Sequence, residues 1–149
     1  MFIETFLELS LSVEQFRKLI ELAYLGEWML NAHHVDDHQD ENATQLFQQL
    51  LSSVDVEGVE TDAETGRKYL IADWDTMLQE QKISDYDDHT FWEELTERLA
   101  ERDLAKRTGQ RVEDIDRDED LLELKPLEDR YRHEFEEHGL DRLQIHSDY

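Results

Sequence analysis

Residues Ser12–His34, SVEQFRKLIELAYLGEWMLNAHH, decide the fold class. Ser12 stands three residues before Gln15. That is the spacing of a capping box, in which a hydroxyl and a glutamine side chain satisfy backbone N–H groups at a helix start. Val13, Phe16, Leu19, Ile20 and Ala23 then recur at helical spacing and mark an inward face. From Leu22 to Leu30 nearly every side is apolar, and a helix apolar all round is a buried one. The pattern predicts a helix over residues 13–33 at the centre of the core.

Outward from this helix the chain keeps reading as helical. Leu46, Phe47, Leu50, Leu51 and Val54 place a second helix over residues 43–54. Thr65-Gly66 is a turn into Lys68–Ile71, a strand or the lead into a helix. Trp74, Met77 and Leu78 give a short helix. Asp87 or Asp88 can cap a longer one carrying Phe91, Trp92, Leu95 and Leu99, ending near Thr108-Gly109. Leu127, Tyr131 and Phe135 mark the last helix, which either starts at Pro126 or kinks there, since proline lacks an N–H. Residues 2–9 and 140–145 could pair as strands. The expected architecture is a mainly α single domain spanning residues 1–149. It has about five helices around the buried helix, with a minor two-stranded element from the termini.

Charge bounds the function. Thirty-nine acids against 15 bases give a formal charge of −24. Nucleic acid and anionic lipid would be repelled, because their recognition begins with cationic attraction. Three causes give such a surface: a partner with a basic face, including a nucleic-acid-binding protein whose DNA this chain imitates; cation binding; and halophilic adaptation, which fits scarce Lys beside abundant Asp. Aromatics reach 9 %, enough large side chains for a folded core rather than a disordered acidic chain. Cysteine is absent, which removes disulfides, thiolate metal sites and a Cys nucleophile. Residues 1–10 contain no base and carry Glu4 and Glu8, unlike a secretory leader. The longest apolar run is about half of the roughly 20 residues a membrane span needs. A cytoplasmic location is expected.

Two constellations could carry function. The first follows the apolar run. Glu27 is its only carboxylate, and Glu27, Asn31, His34 and His38 lie at steps of four, three and four, one helical stripe. Histidine and carboxylate bind zinc or iron, so Glu27, His33, His34 and His38 are candidate metal ligands. If buried, Glu27 needs a partner and its pKa should rise. Against a metal, Glu27 and His34 are about 10 Å apart along a helix, and neither Glu-x-x-His nor His-Glu-x-x-His occurs. Histidines at a helix end also suit its dipole unaided.

The second is acidic. Residues 35–66 hold nine acids and no base; Asp36, Asp37, Asp40, Glu41, Asp55, Glu57, Glu60, Asp62 and Glu64 are the candidate partner-binding surface. Asp116, Asp118 and Asp120 begin like a calcium loop, but Leu121 and Leu127 stand where glycine and a bidentate Glu are required. Asp129/His133 and Glu134/His138 read as surface charge pairs. Phosphate-cradling and serine-hydrolase motifs are missing. The leading expectation is a non-enzymatic acidic protein that engages a basic protein surface and needs no cofactor. A metal-binding protein or metal-dependent enzyme, and a structural homodimer subunit, are the alternatives.

Overall fold

The computed structural model describes residues 8–34 and 39–144. Five α-helices are present among them: α1 (Val13–Asn31), α2 (Glu41–Ser53), α3 (Ala72–Leu78), α4 (Ser84–Thr108) and α5 (Leu121–His138). A hairpin of β1 (Val59–Thr61) and β2 (Lys68–Leu70) lies between α2 and α3 in the chain, and a π-helical turn spans Gln79–Ile83. The protein is mainly helical, as its periodicity predicts. It divides into two compact units, Met1–Ser84 and Asp85–Tyr149.

In the first unit, the capping box forms as expected. Ser12 Oγ accepts from the Gln15 N–H at 3.2 Å, and Gln15 Oε1 accepts from the Ser12 N–H at 2.9 Å. Phe16, Ile20 and Tyr24, four residues apart, form the stripe of α1 that enters a core of Ile20, Leu51, Leu70, Trp74 and Leu78. The hairpin pairs antiparallel, with Val59 opposite Leu70. Its turn is tied by Asp62, whose carboxylate accepts from the Thr65 N–H and hydroxyl, both at 2.7 Å. Gln48 of α2 bonds both the N–H and the carbonyl of Lys68 on β2, at 3.0 and 2.9 Å, so a side chain covers a strand edge. Trp74 is held on two sides. The Arg17 guanidinium lies 4.2 Å from its ring centre, and its Nε1 donates to Glu21 at 3.3 Å.

Two expectations are corrected here. The helix α1 is not buried on all sides: Leu22, Met29 and Leu30 are 60, 55 and 49 % exposed. Among the described residues, α2, a hairpin of two three-residue strands and α3 pack against one face of this 19-residue helix. The sheet comes from the middle of the chain rather than its ends. Residues 8–10 form no strand and residues 140–144 are turns and loop, while residues 2–7 and 145 lie outside the described residues.

In the second unit, Ala100 and Leu104 of α4 meet Leu124 of α5, with Ile115, Leu127 and Tyr131 packed around them. The link between the helices is pinned by Arg117, which reaches Glu97 and Glu101 on α4 and Glu128 on α5 at 3.0, 2.7 and 2.8 Å. Asp103 is a second clasp, accepting from Arg130 at 2.7 Å and from the Tyr131 hydroxyl. Neither Asp87 nor Asp88 caps α4, which begins at Ser84. The Ser84 N–H already has a partner in the Gln79 carbonyl of the π turn, so no free helix start is left to cap. The helix α5 starts at Leu121, ahead of Pro126, which sits inside it. The bond that Pro126 cannot make would have gone to the carbonyl of Leu122, a residue 87 % exposed, where water can take its place. Gly139 ends the helix with φ +54°, a conformation glycine adopts without Cβ strain.

Candidate functional site

Glu27 continues the inward stripe of α1 one turn beyond Tyr24, and it finds partners on a neighbouring helix. Its Oε1 accepts from Thr44 Oγ1 of α2 at 2.8 Å and from Asn31 Nδ2 at 2.9 Å. Asn31 is buried and fully engaged: its Nδ2 also reaches Thr44 Oγ1 at 3.3 Å, and its Oδ1 accepts from the Asp40 N–H at 2.6 Å. A short polar network therefore joins α1 to α2 and to Asp40, the residue that caps it. The carboxylate that stood out in the apolar run is a fastener between helices.

The histidines are placed differently. His33 is exposed and His34 half-buried, with ring centres 4.0 Å apart. The His34 N–H donates to the Asn31 carbonyl at 3.0 Å, and His38 lies outside the described residues. Among the described residues, no group of three or more His, Asp or Glu side chains is placed to hold a metal ion.

The acidic segment is partly consumed by the fold. Asp40 caps α2 by accepting from the Ala43 N–H at 3.0 Å, and Asp62 holds the hairpin turn. Glu60 accepts from the Tyr69 hydroxyl at 3.0 Å. Glu41, Asp55, Glu57 and Glu64 are exposed, with no side-chain bond or ion pair. Asp36 and Asp37 lie outside the described residues. Further along, Asp116 accepts from the N–H groups of Asp118 and Glu119, at 3.0 and 3.3 Å, and shapes a turn. His133 and His138 both lie near Glu137, at 3.7 and 3.5 Å, rather than pairing with Asp129 and Glu134.

One concentration of aromatic and charged side chains was not singled out by the sequence. In the second unit, α4 and α5 flank a half-open groove of about 420 Å³. Trp92 and Phe135 form its floor, with ring centres 5.4 Å apart. Phe91 packs edge-on to Trp92 at 5.0 Å, and Tyr131 stacks on Phe135 at 5.9 Å, so the floor belongs to a run of four rings. Thr96 closes the base and is buried. Glu93 and His89 of α4 and Glu136 and Arg132 of α5 complete its lining. His89 Nε2 lies 3.7 Å from Glu93, and Arg132 is turned to Asp129 at 3.1 Å. Aromatic faces beside carboxylates favour a bound cation, because both the ring quadrupole and the carboxylate attract positive charge. The signal was the spacing His89, Trp92, Glu93 and Thr96, one face of α4, opposite Arg132, Phe135 and Glu136 on α5. Reading Trp92 and Phe135 only as core stripes concealed it.

A second, shallower depression involves Asp103, Lys106, Arg107, Leu127 and Arg130. Its guanidinium groups are committed, Arg107 to Glu123 and Arg130 to Asp103, both at 2.7 Å. Among the described residues, no helix is long and apolar enough to cross a membrane. Compared with known proteins, the chain matches no family model, no curated protein and no solved structure.

Proposed function

We propose that this chain is a non-enzymatic binding protein for a basic protein surface. One observation carries the reading: most of its cations pair with its own carboxylates, while many carboxylates face water unpaired. Arg98, Arg102, Arg107, Arg111, Arg117, Arg130, Arg132 and Arg142 each pair with a carboxylate of this chain. Arg17 is spent on the Glu57 carbonyl and the Trp74 ring. With 39 acids to 15 bases, the surplus is outward and negative. Such a field steers a basic partner into encounter and repels nucleic acid and anionic lipid. A nucleic-acid-binding protein presenting its basic face is one such partner. Glu41, Asp55, Glu57 and Glu64, free of internal duties, form the surface offered by the first unit.

The test is affinity capture from a lysate of the native host at its own ionic strength, eluted with rising salt. It is run beside the E41Q/D55N/E57Q/E64Q variant. Basic proteins should be retained, released by salt as screening shortens the reach of exposed charge, and held less by the variant. Retention of no basic protein, or retention indifferent to salt, overturns the reading.

A further inference from the structure

We infer that the groove between α4 and α5 is the anchor point for a single arginine or lysine side chain presented by the basic partner. This rests on the reading just given and assigns it a site. A cationic side chain has an apolar stem and a charged head, and the groove offers a surface for each. Trp92 and Phe135 provide the aromatic floor for the stem and for cation–π contact, the arrangement that holds ammonium and guanidinium groups. Glu93 of α4 and Glu136 of α5 line the same groove and supply the negative charge for the head.

Charge around the groove points the same way. Asp85 and Asp88 precede His89 on the face of α4 that carries Trp92, and Asp129 precedes Arg132 and Glu136 on α5. Arg132 is the lining cation, and its guanidinium is held at 3.1 Å by Asp129. The volume of about 420 Å³ falls within the range of roughly 300–1,000 Å³ typical of small-ligand sites, room for one long side chain rather than a helix. Anchoring by one desolvated side chain, with long-range steering from the remaining acids, is how binding energy concentrates at a few positions of an interface.

The experiment uses the full chain and two short peptides, otherwise uncharged, that differ at one central position, arginine in one and its neutral isostere citrulline in the other. Binding is read from the indole N–H signals of Trp28, Trp74 and Trp92 in a nitrogen–proton NMR titration. The arginine peptide should shift the Trp92 signal, leave Trp74 unmoved and bind about tenfold more tightly than the citrulline peptide. The variant E93Q/E136Q should lose that advantage, while E41Q/E64Q in the first unit keeps it. Both pairs are surface changes whose folding is checked by the same spectra. Equal binding of the two peptides, or an arginine preference that survives E93Q/E136Q, overturns the site. The broader reading is separated by a polyarginine titration of the wild-type chain: salt-sensitive binding that ignores E93Q/E136Q removes the groove alone, and its absence removes both.

Discussion

The hydroxyl of Thr44 on α2 donates to Glu27 Oε1 on α1 at 2.8 Å, and the same oxygen takes the amide of Asn31 at 2.9 Å. Asn31 closes the network by accepting at 2.6 Å from the N–H of Asp40, the residue that caps α2. Removing Asn31 leaves the Asp40 N–H without its partner and Glu27 and Thr44 each one bond short, and an unmade bond near a buried site costs more than a made one gains. Asn31→Ala should lower the unfolding free energy by about 1–3 kcal/mol, and Thr44→Val by about 1 kcal/mol. Equilibrium urea unfolding measures both. A neutral Asn31→Ala would show the network to be incidental to joining the helices.

This network marks how far the sequence reaches. The stripe of Glu27 and Asn31 was legible from spacing alone, because helical periodicity places them one turn apart whatever they bond. Its use was not legible, since Thr44 and Asp40 arrive from another helix and a loop. Ser12 and Gln15 were readable for the opposite reason: every atom of a capping box is local. The all-round apolar run misled because periodicity reports what a helix could bury, whereas exposure of Leu22 and Met29 depends on how many partners the unit supplies. The groove was hidden in the same way. Trp92 and Phe135 each look like core, and only their pairing beside Glu93 and Glu136 makes a site.

Gly58 is where a close approach restricts the residue. Its φ is +94°, and a Cβ there would stand 3.0 Å from Cε3 of the Trp74 ring. Gly66 has φ +71° in the hairpin turn but nothing within 4 Å of an added Cβ. Gly66→Ala should therefore cost only the backbone penalty of about 1–2 kcal/mol. Gly58→Ala adds displacement of a buried indole and should cost about 1–3 kcal/mol more. Thermal or urea unfolding of the two variants side by side makes the comparison. Equal losses would mean that Trp74 yields freely.

Tyr24 should make the protein sensitive to alkali. Burial raises its pKa first, and its hydrogen bond to Asp75 raises it further, so the phenol is pushed up from 10.0 to about 12. The unfolded chain releases this proton near pH 10 and the folded chain keeps it until about pH 12. Stability is therefore fully present below pH 10 and is lost as pH rises through the folded value. Tyr131 is also raised, by burial and by its bond to Asp103, so the two contributions need separating. Tyr24→Phe should flatten the fall in melting temperature between pH 10 and about 12 and remove one late step from the tyrosinate absorbance titration. An unchanged titration curve would contradict the assignment.

Arg117 holds Glu97, Glu101 and Glu128 within 3.0 Å of its guanidinium, so one cation restrains three carboxylates from two helices. Arg117→Met keeps much of the apolar stem and deletes the charge, which separates electrostatics from packing. The three acids then repel one another at short range in a chain that already carries −24. The expected loss is about 1–2 kcal/mol near 0.1 M salt, above that of a lone surface pair because the contacts form a network. Salt gives the signature. The screening length falls from about 10 Å at 0.1 M to about 3 Å at 1 M, so the repulsion left by the variant should weaken and roughly half of the deficit should return. Wild type should gain less over the same range, because its three acids are already compensated. Urea unfolding of both proteins at the two salt concentrations decides it; a deficit that stays constant would mean Arg117 acts through packing of its stem, not through the charges it gathers.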